Sequence, residues 1–400
     1  MRSVTDHQAA IAALVKSRPD TELQLSAAAG RVLARDVVAT RALPGFDNSA
    51  MDGYAVRAAD TETANTETPV VLPVAEDIPA GRTDGPPLEA GTAHRIMTGA
   101  ALPNGADAVV PVELTDGGTT SVAIHQAPRL GQHVRRAGED ISAGAVALRR
   151  GQVLGAPHLA LLSALGYATA PVIPPIRTIV LSTGSELVAP GQPLRRGEIY
   201  ESNGIMLATA VREAGGEAAQ LRFVSDDPGE FLHTLRNRAP EADLIITSGG
   251  VSAGAYEVVK DSLAQHGVEF LKVAMQPGMP QGCGVFENTP IVTLPGNPVS
   301  ALVSFEVFIR PALRRAMGLP SVSRPVIKAE LTEPVRSPAG KRQFRRGVLD
   351  RGRGTVKPIG PPASHHLRWL ASANCLVDVP EGSTDLNAGD AVTVWDLESD

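Results

Sequence analysis

Three apolar, β-branched runs in this chain each stop at a cluster of small hydroxylated residues, glycine and proline, and this repeated break narrows its fold more than any other feature. The clearest case is Ala242-Asp243-Leu244-Ile245-Ile246-Thr247-Ser248-Gly249-Gly250-Val251-Ser252-Ala253-Gly254, followed by a helical pattern through Val258, Val259 and Leu263. That order predicts a strand, a glycine turn and a helix start. Glycine has no Cβ, so the backbone can turn sharply there and approach a ligand closely. Free N–H groups at the helix start, beside the hydroxyls of Thr247, Ser248 and Ser252, make a seat for an anion. Taken alone, the turn reads equally well as an ordinary strand-to-helix connection.

Two sister turns shift that balance. Pro290-Ile291-Val292-Thr293-Leu294 reads as a short buried strand, broken by Pro295-Gly296-Asn297-Pro298 before an apolar helix that starts at Val299. Pro298 suits the first helical turn, where its missing N–H costs nothing, and Asn297 is placed to cap it. Ile179-Val180-Leu181-Ser182-Thr183-Gly184-Ser185-Glu186 ends in the same way. Three such endings predict one parallel sheet with a ligand crevice at the carboxyl ends of its strands.

The surrounding pattern agrees. Between about residues 176 and 325, strand candidates at 177–181, 218–224, 243–246 and 290–294 alternate with helix candidates at 202–213, 228–238, 256–265 and 299–317. Such alternation predicts a doubly wound α/β domain. Residues 7–16 read as a helix with Ala10, Ile11, Leu14 and Val15 on one face. From Leu43-Pro44-Gly45 to about residue 145, short β-type runs alternate with turn residues, the texture of a small β domain. The last segment, 326–400, returns to short strands and reads as a β barrel or sandwich.

Composition excludes several function classes. A net charge of -6 and 4% aromatic residues argue against a nucleic-acid surface. The most apolar window, Leu154 to Ile173, contains His158, Tyr167 and prolines, so it reads as a buried helix and strand rather than a membrane span. No signal-peptide pattern opens the chain, and Cys283 and Cys375 have neither metal-site nor disulfide-framework spacing. A reducing cytoplasm is the expected compartment.

Polar candidates gather around the predicted turns. Glu186, Asp226 and Glu257 are oxygen ligands of the kind that suits Mg²⁺, which takes one or two carboxylates plus substrate phosphates and water. Asp227 reads equally as a ligand or as the cap of a helix beginning at Pro228. Lys272 is placed to neutralise an oxyanion, although a lone lysine is more often a surface residue. Arg135-Arg136-Ala137-Gly138-Glu139-Asp140 reads as a solvated charge run. No Ser/His/Asp triad and no histidine metal spacing stands out. From residues alone, the chain binds a phosphorylated or oxyanionic ligand with Mg²⁺.

Five collinear blocks carry a resemblance. Asp47-Asn48-Ser49-Ala50-Met51-Asp52-Gly53-Tyr54-Ala55, Arg95-Ile96-Met97-Thr98-Gly99-Ala100, Ser182-Thr183-Gly184-Ser185-Glu186-Leu187, Thr247-Ser248-Gly249-Gly250-Val251-Ser252 and Leu294-Pro295-Gly296-Asn297-Pro298-Val299-Ser300 resemble molybdopterin molybdenumtransferases, the family of the gephyrin E domain. The resemblance implies an elongated linking domain from residues 1–45 and 146–175, an inserted β domain at 46–145, a molybdopterin-binding α/β domain at 176–325 and a β barrel at 326–400. It implies a homodimer whose cleft combines the α/β domain of one subunit with the inserted domain of the other. The implied reaction is the last step of molybdenum cofactor synthesis: adenylylated molybdopterin is cleaved with Mg²⁺, molybdenum enters from molybdate, and AMP leaves.

Carried over position by position, the catalytic candidates are Asp52, Thr98, Glu186, Asp226, Glu257 and Lys272, with Asp226, Glu257 and Glu186 as metal ligands. Candidate ligand-binding residues are Thr183, Gly184, Ser248, Gly249, Gly250, Ser252, Pro295, Gly296, Asn297, Pro298 and Ser300, joined by Lys341, Arg346 and Ser364 from the barrel. The molybdopterin adenylyltransferase is a candidate partner. Two departures stand out. Glu257 replaces a family Asp, and Gln276-Pro277-Gly278-Met279-Pro280 replaces a family Lys-Pro-Gly-Lys-Pro stretch. The missing lysines motivate a second hypothesis, a non-catalytic carrier or scaffold for the molybdopterin nucleotide. A third, adenylyltransferase activity, is disfavoured by the extra domains and by Thr-Ser-Gly-Gly-Val-Ser where that enzyme has Thr-Gly-Gly-Thr-Gly.

Overall fold

The computed structural model describes residues 1–82, 84–222, 227–250 and 258–399. The expectations for Asp226, Ser252 and Glu257 lie outside the described residues. Met1–Glu22, Gly30–Ala34 and Pro171–Asp400 form one compact unit, and Leu23–Ala29 with Arg35–Ala170 form a second. Segments of the expected linking domain fall in both.

The first unit is built on a six-stranded sheet in the order Glu217–Arg222, Arg177–Ser182, Leu244–Ser248, Thr289–Leu294, Pro280–Phe286, Val268–Lys272. Its first four strands run parallel, in the register Ser182↔Ser248 and Ser248↔Leu294 at their carboxyl ends. Both faces of these strands are covered, which is why they read as continuous apolar runs rather than alternating ones. Val180, Ile246 and Val292 pack with Leu207 and Val211 of the helix Asn203–Glu213 and with the helical stretch from Pro298. Ile179, Leu181, Ile245 and Ile291 pack the other way, with Phe231 and Leu235 of the helix Pro228–Arg238 and with Leu263 of Val258–Ala264. Each fully buried side chain of this kind contributes about 1.5–3 kcal/mol. The result is the doubly wound α/β domain expected from the sequence.

Two strands of this sheet, Val268–Lys272 and Pro280–Phe286, were not foreseen. Pro280–Phe286 runs antiparallel to both of its neighbours, so the sheet is mixed rather than purely parallel. Its glycines resemble turn residues, yet they are needed for close packing. A Cβ on Gly282 would stand 2.1 Å from Thr293 Oγ1, and one on Gly284 would stand 2.1 Å from Gly267 O. Glycine inside a strand often marks such an approach.

The helix Val4–Leu14 belongs to the same unit, and Ser3 caps it by accepting from Asp6 N–H at 3.0 Å. Its buried face is Val4, His7 and Ile11, so His7 sits inward where the sequence pattern favoured Ala10. The His7 ring packs edge-on against Phe308, with centroids 4.7 Å apart. Phe308 belongs to a π-helical turn, Phe305–Ile309, that interrupts the long helix between Pro298–Ser304 and Arg310–Ala316.

At the C-terminus, Arg342–Asp350, Thr355–Pro358, Val326–Leu331, Ala391–Asp396 and Cys375–Val379 follow one another around a β barrel that closes by pairing Cys375–Val379 with Arg342–Asp350. Closure removes free strand edges. Leu349, Val356, Val377 and Val394 fill its interior. In the second unit, a five-stranded sheet runs Ala108–Pro111, Gly53–Val56, Ala93–Ile96, Val70–Ile78, Ser121–Ile124, packed through Tyr54, Leu72, Val110 and Ile124. Among the described residues, no helix is long and apolar enough to cross a membrane.

Candidate active site

The three turns singled out in the sequence meet at one edge of the α/β sheet. Ser182, Ser248 and Leu294 end adjacent strands in register, and backbone bonds run on past them. Thr183 N–H donates to Ser248 O at 3.2 Å, and Gly249 N–H donates to Leu294 O at 3.1 Å. Gly249 adopts a φ of +101°, and a Cβ there would stand 2.8 Å from Thr183 O. Only glycine tolerates both the conformation and the contact. A Cβ on Gly296 would lie 3.4 Å from Gly249 Cα, so the second and third turns touch through their backbones.

These turns floor a cleft of about 990 Å³, walled by the loop Gln276–Pro280 and by Lys341 and Ser364 of the barrel. Thr183, Gly184, Ser248, Gly249, Gly250 and Glu186 all line it. So do Pro295, Gly296, Asn297, Pro298 and Ser300. Among the described residues, Lys341 is the one lysine or arginine in the lining, and Gln276 and Met279 occupy the wall positions noted as departures. Gln276 Oε1 accepts from Gln343 Nε2 of the barrel at 2.8 Å.

Several candidates lie elsewhere. Lys272 is exposed at the end of its strand and does not line the cleft. Arg346 is buried, and its guanidinium donates to the backbone carbonyls of Ala363 (3.1 Å), His366 (3.3 Å) and Pro361. It thereby holds the segment that carries Ser364 into the cleft. Burial and the neighbouring Arg345 push its pKa below the usual value. Asp227 caps the helix Pro228–Arg238 by accepting from Glu230 N–H at 2.8 Å, which decides for the capping alternative. Asn297 occupies its N-cap position without a side-chain cap bond. The orphan N–H of Val299 instead finds Ser364 O at 3.1 Å.

Asp52 and Thr98 belong to the second compact unit and are exposed there. Asp52 Oδ1 accepts from both the hydroxyl and the backbone N–H of Thr98, each at 2.6 Å. The Thr98 hydroxyl, then its amide, hold the carboxyl pKa below its ordinary value.

Two cleft residues escaped the sequence reading. Glu201 is 4% exposed and accepts from Ser182 Oγ (2.9 Å), Gly204 N–H (2.5 Å) and Gln220 Nε2 (3.1 Å). Asn203 Nδ2 donates to Ser248 Oγ at 2.8 Å and to Gly296 O at 2.6 Å. The one local signal was their place at the start of the helix Asn203–Glu213; apart from Gly204, their partners are distant in sequence.

Among the described residues, no group of three or more His, Cys, Asp and Glu side chains gathers as a ready-made metal site. Glu186 is nevertheless a suitable partial site: its carboxylate lines the cleft and makes no hydrogen bond or ion pair with a described residue. One such carboxylate with substrate phosphates is an ordinary Mg²⁺ ligand set. Among the described residues, the arrangement can hold an extended anionic ligand through neutral donors and one lysine, with the Glu186 carboxylate open to a cation between it and the ligand.

Comparison with known proteins gives a consistent picture. Residues 2–166 match the MoeA N-terminal region (domain I and II), 179–315 the probable molybdopterin binding domain, and 328–397 the MoeA C-terminal region (domain IV). Molybdopterin molybdenumtransferase 2 of Mycobacterium tuberculosis is 59% identical over 404 residues, covering 99% of this chain and 100% of that protein. The molybdopterin molybdenumtransferase of Haemophilus influenzae is 36% identical over 380 residues, covering 93% and 92%. A crystal structure of the molybdopterin biosynthesis MoeA protein of Pyrococcus horikoshii superposes with a TM-score of 0.82 at 31% identity, covering 99% of this chain and 98% of that one.

Proposed function

The chain belongs to the molybdopterin molybdenumtransferase family, and on that premise we propose that it inserts molybdenum from molybdate into adenylylated molybdopterin with release of AMP. The reaction lies in molybdenum cofactor biosynthesis. The observation that carries this reading is the cleft at the three aligned strand ends, whose volume of about 990 Å³ suits a pterin nucleotide and whose floor consists of hydroxyls and amides.

Each group then has a task. Ser248 and the backbone amides of Gly249 and Gly250 orient phosphate oxygens, since fixed donors need no reorganisation when charge develops. Glu186 holds Mg²⁺, together with Asp226 and Glu257, which are assigned from sequence. When bound, Mg²⁺ would neutralise charge growing on the leaving phosphate. Lys341 and Ser364 hold molybdate from the barrel side. No protein nucleophile is needed if water or a molybdate oxygen attacks. Asp52 and Thr98 are assigned to a second copy of the chain in a homodimer. The molybdopterin adenylyltransferase is the proposed supplier of substrate. The cytoplasm is the proposed compartment, in keeping with two cysteines that stay buried and free of each other.

The test is AMP release from adenylylated molybdopterin across a molybdate titration, with and without Mg²⁺. Release that depends on both, and a product that activates an apo-molybdoenzyme, support the proposal. Gln276 and Met279 in the cleft wall favour a second reading, a carrier of the molybdopterin nucleotide. Tight binding of the nucleotide without AMP release at any molybdate concentration would establish that reading and overturn the first.

A further inference from the structure

We propose that Asn203 and Glu201 give two neighbouring serines of the cleft floor opposite hydrogen-bonding polarity, so that Ser248 is a donor to a ligand oxyanion and Ser182 an acceptor. Ser182 and Ser248 end adjacent parallel strands in direct register, and both line the cleft. From sequence the two hydroxyls look equivalent. Each has one proton to give and two lone pairs.

Their partners differ. Ser182 gives its proton to Glu201 Oε1 at 2.9 Å. Glu201 is 4% exposed and is also held by Gly204 N–H and Gln220 Nε2, so its oxygens stay acceptors in fixed positions. Ser182 therefore offers only lone pairs to a ligand. Ser248 instead accepts from Asn203 Nδ2 at 2.8 Å, and no described residue takes its own proton. That proton remains for the cleft.

The orientation of the Asn203 amide is fixed by a second bond. Nδ2 also donates to Gly296 O at 2.6 Å, and turning the amide over would set two acceptors against each other there. The cost is visible: Asn203 Oδ1 is buried without a partner. An amide that gives up a bond on its oxygen to make two through its nitrogen is held for its donors. In a lining whose described residues include one cation, a hydroxyl obliged to donate is the kind of group that recognises a phosphoryl oxygen. Asn203 is thus a positioning residue acting through Ser248. The phosphoryl ligand rests on the function proposed above; the polarity of the serines does not.

Isothermal calorimetry on the full-length chain, with AMP and inorganic pyrophosphate as probes, tests the inference. Asn203→Asp replaces the donor by an acceptor that captures the Ser248 proton, so Kd for both probes should rise about tenfold or more. Ser248→Ala should weaken binding similarly, and the double variant should be no weaker than either single one. Asn203→Leu, which adds no charge, should weaken binding by about threefold and covers the case in which the Asp variant does not fold. With adenylylated molybdopterin as substrate, KM should rise while kcat stays within about twofold, because a packing defect would instead lower the active fraction and kcat. Unchanged Kd in folded Asn203→Asp, or an effect undiminished in the Ser248→Ala background, overturns the proposal. Wild-type chain that binds pyrophosphate but not AMP, with the same Asn203 dependence, removes the nucleotide reading and keeps this one. Wild-type chain that binds neither overturns this one.

Discussion

The C-terminal barrel and the cleft beside it treat charge in opposite ways. In the barrel, acids and bases close on each other. Arg342 forks onto Asp378 at 2.8 and 2.5 Å, Trp395 Nε1 donates to the same carboxylate at 3.2 Å, and Arg351 forks onto Asp396 at 2.9 and 2.6 Å. The Arg351 guanidinium holds Asp396 down to about 2, so that carboxylate is charged at any physiological pH. In the cleft, Glu186 has no described partner, and Ser248 keeps an unclaimed proton. Paired charges make a scaffold that resists change, whereas unspent ones need something from outside. A carboxylate and a hydroxyl that the described residues leave open to one cleft mark where a ligand can bind.

The comparison breaks most readily in the barrel. Asp378→Ala leaves Arg342 beside Phe344 and Trp395 without its counter-charge, and should cost about 3 kcal/mol of stability in chemical denaturation. In the cleft the reverse is expected. Glu186→Gln should leave the denaturation midpoint unchanged and reduce Mg²⁺-dependent AMP release about a hundredfold, near 2.7 kcal/mol. A Glu186→Gln variant that loses stability instead would place this carboxylate on the scaffold side of the comparison.

His7 supplies an intermediate case. It is fully buried with both ring nitrogens unpartnered, and burial, reinforced by the charge of Arg2, pulls its pKa to about 4. The unfolded chain therefore binds a proton that the folded chain refuses between about pH 6.5 and pH 4. Folding stability should fall as pH drops through that window, by about 2 kcal/mol between pH 7 and pH 5. His7→Phe should flatten that part of the curve, as measured by denaturation at several pH values. The smallest expected effect is at the cleft wall. Gln276→Lys adds a cation but forfeits the bond to Gln343, so molybdate affinity should rise only about threefold, with a new dependence on salt.

Much of this was legible in the sequence, for local reasons. The three turns were readable because a strand end, a φ-permissive glycine and a helix start are properties of neighbouring residues. Asp227 and Pro298 followed the same logic. What escaped was set by contacts between distant segments. Pro280–Phe286 is a strand because Gly282 and Gly284 let neighbouring strands come close, and no local preference announces that. Asn203 matters through Ser248 and Gly296, and Glu201 through Ser182 and Gln220. Arg346 was a candidate through the family resemblance alone. Here its guanidinium is spent on backbone carbonyls.

The bond from Val299 N–H to Ser364 O has one more consequence. It ties the start of the helix after the third turn to a segment far along the chain. A cleft whose floor and wall are joined this way is complete only once the barrel side has docked on the sheet. Contacts of such sequence separation require a long loop to close, which slows folding. One backbone bond therefore sets floor and wall together, and loosening either would be felt by the other.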